Sequence, residues 1–575
     1  MHDLVIRGGK VVDGSGAPAR GADVAVDGDT IRAVGRVGAG RREVDADGAL
    51  VAPGWVDIHT HYDGQATWDG ELAPSSHHGV TTIVMGNCGV GFAPVRPGTE
   101  SFLIELMEGV EDIPGPALHA GMDWRWESFD EYLAALESRP RTLDVAAQVA
   151  HSAVRAYVLG ERAHANDLSD AEIAEMAAVV REGIEAGAFG FSTSQTRAHT
   201  SRHGLVPGTF AFRRELVAIA RALADAGHGV FQCVSDETSL GNDAAVFDEL
   251  CDTGVPITFS VAQMPREPWG FRESLDHARD STAAGRPIAP QVPARPTGML
   301  YGLQSSFHPF VSHPSFEPLL NQPLERVVAE LRRPELRARL LAERQRFEGT
   351  IWDGLARVWS RMFKLGDPPD YEPPREASVQ AAAEREGRRP EEVLLDWLLE
   401  DEGRAFVFAP LGSYYAHDLE AVREMLEHPA AVVGLSDGGA HCALICDASF
   451  PTYLLAHWTR DRTRGPRLPL ERVVHLQTQA PARTYGLHDR GRIAPGLRAD
   501  FNLIDYPGLK LHAPRMVFDL PGDARRLIQR ADGYRMTFQS GVQTFADGEP
   551  TGARPGRTLR AGPRGPGYAL HAPRA

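Results

Sequence analysis

An apolar run that ends in two alternating histidines constrains the fold of this chain more than any other feature. The run covers residues 51–58 (VAPGWVDI) and leads directly into His59-Thr60-His61. Side chains alternate between the two faces of a β-strand, so His59 and His61 would point the same way, about 6–7 Å apart along the backbone. Two such imidazoles can bind one metal ion. They could instead be ordinary polar residues of a loop, but barrel enzymes place their chemistry at the ends of apolar strands, which favours a metal site.

A second predicted strand, residues 80–85 (VTTIVM), is followed closely by Cys88. A cysteine thiolate is a good zinc ligand, so Cys88 joins the two histidines as a candidate. The chain has five cysteines, a small and odd number for its length; Cys442 and Cys446 are four apart, but no second pair follows. This usage is typical of free thiols in a reducing compartment rather than of a disulfide framework.

Composition excludes several classes of protein. The chain has 575 residues and a formal net charge of −17, with 43% apolar and 24% charged residues. The length predicts a large barrel plus a second domain, and the negative charge argues against a nucleic-acid surface. No apolar stretch is long enough to cross a bilayer, and the first residues lack the basic and apolar regions of a signal peptide. We therefore expect a cytoplasmic enzyme without nucleic-acid or membrane partners.

Both ends of the chain show short alternating strands separated by glycine turns. Residues 1–50 contain Asp-Gly and Gly-Gly turns but too few strands to form a stable domain alone. Residues 486–552 show the same pattern. We predict that these two segments combine into one small β-sandwich. Residues 553–575 are rich in Gly, Pro and Arg, which predicts a flexible tail, largely disordered or draped over the surface.

The middle of the chain, residues 51–485, alternates predicted strands and helices. Helical patterns such as 171–186 and 213–226 lie between strand candidates and end near glycines. Eight strands with interposed helices predict an α/β fold, a (β/α)₈ TIM-like barrel. Residues 301–402 form a large insertion with a charged helical stretch. Such an insertion is compatible with a lid over the strand ends or with a surface decoration.

Asp437 is the strongest candidate for a general base. It follows an apolar run in AVVGLSDGGAH, beside glycines that allow close approach of the backbone. An Asp-Gly pair is more often a turn, but this one ends the predicted eighth strand, which closes the barrel beside the first. A metal ion lowers the pKa of its bound water to about 7, and a neighbouring carboxylate can accept the proton and pass it to a leaving group.

Four segments together resemble the amidohydrolase superfamily: VAPGWVDIHTHYD, GNCGVGFAPVRP, GLSDGGAH and QAPARTYGLHDRGRIAPGLRADFNLID. Within it, the chain is similar to the branch of the N-acyl-D-amino-acid deacylases, over most of its length and including the split β-sandwich. The resemblance implies that His59, His61, Cys88 and Asp437 are metal ligands, that the cysteine can bridge two metals, and that the aspartate is the catalytic base. The implied reaction hydrolyses an N-acyl amide to a carboxylate and a free amine.

The chain departs from these relatives at the fifth and sixth strands. It has Val234 and Val261 where related deacylases carry histidines, and Gln263 where they place a lysine for the substrate carboxylate. Valine cannot bind a metal, and a second dication without ligands would be too costly to bury. We therefore predict one divalent ion per chain. Imidazole and thiolate ligands favour zinc, with another divalent metal as the alternative.

Several further polar residues are candidates for substrate binding. His151 and Arg155 follow the third strand and could hold an oxyanion or a carboxylate, although a histidine there could equally cap the loop. Arg295 follows the seventh strand and could clamp a carboxylate through two hydrogen bonds, or lie on the surface. His441, four residues after Asp437, could orient that carboxylate. Three more residues could contact water on the metal: Asp63, Gln232 and Asp236.

These features predict a metal-dependent hydrolase of a small-molecule amide, such as an N-acyl amino acid. Two alternatives stay open: an amidohydrolase that acts on a cyclic amide or imide or deaminates its substrate, and a non-catalytic descendant that binds a metabolite. Retention of the four predicted ligands, including Asp437, favours an enzyme, because a binding protein has no need of a base. The acyl group, the amino acid, its chirality and the oligomeric state are not predicted.

Overall fold

The computed structural model describes residues 1–235, 241–346 and 351–562. Its first segment consists of five strands: β1 (His2–Val11), β2 (Arg20–Asp27), β3 (Thr30–Gly35), β4 (Gly40–Asp45) and β5 (Leu50–Pro53). β1 lies between β2, which runs antiparallel to it, and the parallel strands β4 and β5. Every residue of β5 is buried, so this strand already faces packing partners on both sides.

The barrel begins with strands that are buried along their whole length, as expected of parallel strands covered on both faces. The elements from residue 55 to residue 292 are β6 (Trp55–Thr60), β7 (Val80–Met85), α1 (Glu100–Glu111), α2 (Gly115–Gly121), α3 (Phe129–Glu137), β8 (Asp144–Ala147), β9 (Val149–Ala150), α4 (His151–Leu159), α5 (Asp170–Glu185), β10 (Gly190–Gln195), β11 (Thr200–Ser201), β12 (Gly204–Leu205), α6 (Arg213–Ala226), β13 (Val230–Ser235), α7 (Gly241–Asp252), β14 (Ile257–Ser260), α8 (Gly270–Ala283) and β15 (Ile288–Val292).

Local sequence signals set the ends of these helices. The side chain of Ser169 accepts a hydrogen bond from the backbone amide of Glu172, and the carboxylate of Glu172 accepts one from the backbone amide of Ser169, so a capping box starts α5. Helix α6 ends at Gly227, which adopts a left-handed conformation with φ of 78°. Both helices match the predicted ranges 171–186 and 213–226 to within one residue, because these capping signals can be recognised in the sequence.

The insertion after β15 has its own small sheet and its own hydrophobic core. Strand β18 lies between β16 and β17 and is antiparallel to both. The elements are β16 (Gly298–Tyr301), α9 (Leu324–Leu331), α10 (Pro334–Ala342), α11 (Ile351–Ala356), β17 (Phe363–Lys364), α12 (Val379–Glu386), α13 (Pro390–Leu398), α14 (Glu400–Gly403) and β18 (Val407–Pro410). The charged stretch predicted as one helical piece is two helices, α9 and α10, because Pro334 starts the second.

The barrel closes after the insertion, through α15 (Glu420–Glu427) and β19 (Val432–Val433). Its parallel strands form two arcs, β6-β7-β8 and β9-β10-β13-β14-β15-β19, which follow one another because β8 and β9 are separated by Gln148 alone. A parallel bridge between Thr60 and Gly438 joins the last strand region to the first. Eight strand positions therefore enclose the barrel core, and the predicted fold class is confirmed.

The end of the chain returns to the sheet formed by its beginning. After α16 (Phe450–Tyr453), a π-helical segment (Leu454–Asp461), α17 (Leu470–Leu476) and α18 (Gln479–Thr484), strand β20 (Phe501–Ile504) pairs antiparallel with β5. The remaining strands are β21 (Lys510–Leu511), β22 (Arg515–Leu520), β23 (Ala524–Ile528), β24 (Ala531–Asp532), β25 (Tyr534–Gln539), β26 (Val542–Ala546) and β27 (Glu549–Pro550). One nine-stranded sheet thus contains β1–β5 together with β20 and β25–β27.

Residues 553–562 differ from the flexible tail that their composition predicts. The amide of Gly556 donates to the carbonyl of Arg141 at 2.8 Å, and the amide of Leu559 donates to the carbonyl of Val145 at 2.7 Å. Arg560 pairs with Glu137 through its Nε atom at 2.6 Å. These backbone bonds anchor the segment along β8, whereas residues 563–575 lie outside the described residues. Among the helices in the described parts of the chain, none combines the length and the apolar composition that a membrane crossing requires.

Candidate active site

The four predicted metal ligands meet at the carboxyl end of the barrel. His59 is the penultimate residue of β6 and His61 directly follows that strand, Cys88 lies three residues beyond β7, and Asp437 follows β19. The ligand atoms of His59, His61 and Cys88 all lie within 4.8 Å of one another. Because β6 and β7 are neighbours and β19 closes the barrel beside β6, strand order alone brings these groups together.

The separations between the candidate ligands suit a single ion. His59 Nε2 lies 3.2 Å from Cys88 Sγ. Asp437 Oδ1 lies 3.4 Å from His59 Nε2 and 3.7 Å from His61 Nε2. Both ring nitrogens of His61 are buried and lack a hydrogen-bond partner among the described residues. Orphaned buried nitrogens beside a thiol and a carboxylate are the donor set that a divalent metal satisfies, so these residues fit the ion that the sequence predicts.

Two of the candidate ligands adopt a backbone conformation that non-glycine residues rarely use. Cys88 has φ of 59° and Asp437 has φ of 47°. Next to Asp437, a side-chain carbon on Gly439 would lie 3.0 Å from the backbone of His61. Glycine therefore permits the loop after β19 to approach the end of β6. Strained residues of this kind cluster at functional sites, where the surrounding structure holds them in place.

Burial and neighbouring charges give the site residues different proton affinities. Burial lowers the pKa of His59 to about 4, so its ring is neutral near pH 7. Burial also disfavours a charged His61, but the carboxylates of Glu111, Asp437 and Asp63 outweigh it and raise that pKa to about 9. The pKa of Asp437 is lowered despite its burial, because both histidines favour the carboxylate. Burial raises the pKa of the Cys88 thiol, and a bound cation would oppose that shift.

Two glutamines inside the barrel accept hydrogen bonds from the candidate ligands His59 and Cys88. Gln291, on β15, accepts a hydrogen bond at 2.7 Å from Nδ1 of His59 through its Oε1 atom. That bond leaves Nε2 of His59 unprotonated and available as a ligand. Gln232, on β13, accepts a hydrogen bond from the backbone amide of Cys88 at 3.1 Å. Gln232 was predicted to contact water on a metal, whereas its described contact is with the backbone of a ligand.

Polar groups that the motifs did not reveal also surround the site. Glu111 ends α1 with Oε1 3.4 Å from His61 Nδ1 and Oε2 3.6 Å from Nε2 of His441. His199, from the loop after β10, has its Nδ1 2.8 Å from Ser194 Oγ. Burial lowers the pKa of His199 to about 3, the positive charges of His441, His61 and His59 lower it further, and the carboxylate of Asp437 opposes the shift. Neither residue follows a strand directly, so strand-end analysis could not find them.

The predicted substrate-binding pair His151 and Arg155 forms a buried ion-pair cluster with Glu215 instead. His151 Nε2 lies 2.9 Å from Glu215 Oε1, and Arg155 donates to both oxygens of Glu215 at 2.8 Å. All three side chains are about 1% exposed. His151 directly follows β9 at the start of α4, Arg155 lies further along α4 and Glu215 is on α6, so the cluster joins these two helices. The charges of Arg155 and Glu215 therefore pair with each other between the two helices and do not face an open pocket.

Arg295 and Gln263 are also engaged in internal contacts. Arg295 Nη2 donates to Asp447 Oδ1 at 2.8 Å, and its guanidinium carbon lies 3.7 Å from the centre of the Tyr371 ring. It is 1% exposed, which excludes the alternative of a surface arginine. The side chain of Gln263 accepts a hydrogen bond from the backbone amide of Tyr415 at 3.0 Å, so it fixes a loop.

The remaining sequence predictions fall close to the ligand cluster or outside the described residues. Asp63 is 2% exposed, and its carboxylate accepts a hydrogen bond from the amide of Gly86 at 3.1 Å. Val234 lies on β13, and Val261 directly follows β14 with 3% exposure. Asp236 lies outside the described residues. The positions that could carry a second set of histidine ligands thus hold apolar side chains.

The fold is a (β/α)₈ barrel, and residues that fit a divalent metal converge at its strand ends. The family model described as "Amidohydrolase family" matches residues 42–549, and the chain belongs to this family. In Alcaligenes xylosoxydans xylosoxydans, N-acyl-D-aspartate deacylase is 28% identical over 570 residues, covering 97% of this chain and 95% of the relative. D-aminoacylase from the same organism is 27% identical over 566 residues, covering 97% of both chains.

The solved structures support the same fold. N-acyl-D-glutamate deacylase from Bordetella bronchiseptica, in complex with zinc and a phosphonate inhibitor, matches with a TM-score of 0.64 and 24% sequence identity. The match covers 97% of this chain and 100% of that chain. Family and relatives together identify the protein as a metal-dependent hydrolase of carbon–nitrogen bonds other than peptide bonds.

Proposed function

We propose that the protein hydrolyses the amide bond of an N-acyl amino acid at one divalent ion, with Asp437 as the general base. The observation that carries this proposal is the convergence of His59, His61 and Cys88 within 4.8 Å, with Asp437 3.4 Å from the first histidine. A purely structural metal site does not need a carboxylate that solvent can reach, whereas a general base must be accessible to water and substrate. The side chain of Asp437 is 24% exposed, whereas those of the two histidines are at most 1% exposed.

The chemistry divides between the ion and the protein. When bound, a divalent ion supplies a Lewis acid that polarises the amide carbonyl and makes a water molecule acidic. Asp437 would accept one proton of the attacking water and deliver it to the nitrogen of the departing amine, which leaves neutral. The second proton of the water stays with the acyl product, which releases it to solvent and becomes a carboxylate. Gln291 keeps His59 in the tautomer that can bind metal, and Gln232 fixes the backbone at Cys88.

The names of the relatives support an N-acyl-D-amino acid as the substrate class. An N-acyl-D-aspartate deacylase, a D-aminoacylase and an N-acyl-D-glutamate deacylase all align with at least 97% of this chain. We extend the D configuration and the deacylase reaction to this protein as part of the proposal. Imidazole and thiolate ligands favour zinc as the ion.

A second candidate is hydrolysis of an uncharged amide or a cyclic imide. The observation that favours it is that Arg155, Arg295 and Gln263, which occupy predicted carboxylate-binding positions, are all engaged in internal contacts. An acidic substrate would then need another cation. A cyclic imide would not, because it carries no carboxylate before hydrolysis.

One screen separates these candidates. The purified protein, loaded with zinc, would be offered N-acyl-D-amino acids, their L enantiomers and cyclic imides, with release of amine or acid as the readout. We expect turnover of the D enantiomers and little of the L enantiomers. Turnover of imides alone would support the second candidate. Stoichiometric zinc without turnover of any compound would refute the enzymatic proposal and favour a metabolite-binding protein.

A further inference from the structure

Glu111 is a buried carboxylate that contacts two histidines of the site. It is the last residue of α1 and is 2% exposed. Its Oε1 atom lies 3.4 Å from His61 Nδ1, and its Oε2 atom lies 3.6 Å from His441 Nε2. Within the described residues, no lysine or arginine forms an ion pair with it, so the two histidines are its only basic neighbours at that distance.

We propose that Glu111 is a positioning residue that orients the His61 ring so that Nε2 is directed at the metal. The proposal rests on the metal site proposed above. Nδ1 of His61 faces Glu111, and Nε2 lies 3.7 Å from Asp437 Oδ1, so the His61 ring lies between two carboxylates. A carboxylate that accepts from the second nitrogen of a metal-bound histidine fixes its tautomer and increases its basicity as a ligand.

The backbone around Glu111 supports this role. The amide of His441 donates a hydrogen bond to the carbonyl of Glu111, so the end of α1 is tied to the loop that carries Asp437. His441 has φ of 47°, a strained conformation that this bond helps to retain. Glu111 therefore connects the end of β6 with the loop after β19, the two segments that supply His61 and Asp437.

A purely structural role does not account for this carboxylate. Oε1 of Glu111 is buried and has no hydrogen-bond partner among the described residues. Its distance of 3.4 Å to His61 exceeds an ordinary hydrogen bond of about 2.9 Å. A buried carboxyl group whose oxygen lacks a hydrogen-bond partner lowers the free energy of unfolding, and an apolar side chain at this position would avoid that loss. A small rotation of the His61 ring closes the gap, and a cation bound on the other side of the ring favours that bond.

The test compares zinc affinity across variants, independently of turnover. Glu111→Gln keeps the size and one acceptor but removes the charge, and Glu111→Ala removes both. We expect zinc to bind about 10-fold more weakly to Glu111→Gln and about 100-fold more weakly to Glu111→Ala in competition with a chelator. The matched control is Glu108→Gln, on the same helix, since Glu108 is exposed and, among the described residues, accepts a hydrogen bond only from the amide of Gly115. The control should bind zinc like the parent.

Two further readouts identify the cause of any loss. The melting temperature of the metal-free Glu111→Gln protein should match that of the parent, and ¹⁵N NMR of the His61 ring should show a change in tautomer. Parental zinc affinity in Glu111→Gln would overturn the proposal, and so would weaker binding accompanied by an equally destabilised metal-free protein. A parent that binds no zinc would refute the metal site itself. A parent that binds zinc without hydrolysing amides would refute only the proposed activity, because the affinity comparison does not depend on turnover.

Discussion

At the scale of single residues, the order in which the buried acids lose their protons supports Asp437 as the proposed general base. Burial raises the pKa values of Asp57, Asp63 and Glu111 to about 7, so each is only partly ionised near neutral pH. The pKa of Asp437 is lowered instead, since burial is outweighed by His61 and His59. Asp437 is therefore the one of these four carboxyl groups that is ionised throughout the neutral range, before any metal adds its own charge.

The first prediction concerns this base. Asp437→Asn should lower kcat by about 10²–10⁴-fold, the usual contribution of a general base, while His59, His61 and Cys88 retain most of the metal. The measurement is steady-state kinetics together with the zinc content of the same preparation. Asp505→Asn, at an exposed position just beyond β20, is the control and should keep parental activity. Near-parental turnover in Asp437→Asn would show that another group is the base.

The second prediction concerns the number of metals. Elemental analysis of protein purified without chelators should give one zinc ion per chain, because Val234 and Val261 cannot serve as ligands. The amide of Gln232 is a weak substitute for an imidazole, and its oxygen already accepts a hydrogen bond from Cys88. Two zinc ions per chain would contradict the assignment of these valines to the histidine positions of the relatives.

Single residues also show what could be predicted from sequence. His59, His61, Cys88 and Asp437 could be located because each lies at the end of an apolar strand, where register and topology determine position. Arg155 lies in an equally suggestive place, yet its partner Glu215 comes from a helix sixty residues later in the chain. A side-chain pairing between two helices depends on how each helix is rotated about its own axis. The positions of the strand ends do not determine that rotation.

At the scale of elements, the buried ion-pair cluster that joins α4 and α6 makes the stability of the fold depend on pH. Glu215 is 1% exposed and is bound by His151 and Arg155. Burial disfavours its charge, but these two partners outweigh burial and lower its pKa to about 2. Because the pKa in the folded state is depressed below the ordinary value of 4.5, the cluster stabilises the fold above about pH 4.5. That stabilisation is lost as the pH falls towards 2.

The third prediction follows from this ion-pair cluster. Glu215→Gln should destabilise the protein by about 3–5 kcal/mol at pH 7, because it leaves a buried arginine without its counter-charge. The difference from the parent should shrink below about pH 4.5, where the parental carboxylate also becomes protonated. Thermal unfolding at pH 7, 5 and 3.5 measures the trend. Glu249→Gln, which removes the exposed partner of Arg213, is the control and should cost about 0–1 kcal/mol. A loss that is equal at all three pH values would contradict the ionic explanation.

Elements differ in how far sequence could predict them. The barrel strands and helices α5 and α6 were predictable because apolar runs, capping residues and glycines mark their ends locally. The insertion was predicted as a segment, but its three-stranded sheet was not, because β16 and β18 pair over more than one hundred intervening residues. Each of these strands has only two to four residues, too few to show a periodic pattern.

At the scale of the whole molecule, strands from both ends of the chain share one hydrophobic core. Phe501 and Phe538 stack with ring centres 4.7 Å apart, and both pack in the core that contains Leu4, Val24 and Val51. The apolar side chains of the last strands are therefore covered by the first strands. Neither end can bury this surface without the other.

The fourth prediction is that deletion of residues 1–45 causes unfolding or aggregation, because it removes β1–β4 and leaves β5 with an open edge. Thermal unfolding and size-exclusion chromatography measure the effect. Supplying residues 1–45 as a separate chain during expression should restore part of the soluble protein, which tests whether lost pairing is the cause. A deletion variant as stable as the parent would show that the two ends fold independently.

The pairing of β5 with β20 also has a consequence for synthesis. Val51 is opposite Leu503, so the ribosome must add most of the chain before the first strands can meet their partners. At about 5–20 residues per second, this delay is on the order of half a minute or longer. During that time the nascent amino-terminal strands expose an unpaired edge, and such edges associate with other chains. The rate of translation and the supply of chaperones should therefore influence the yield of folded protein more strongly than in a protein whose domains are completed one after another.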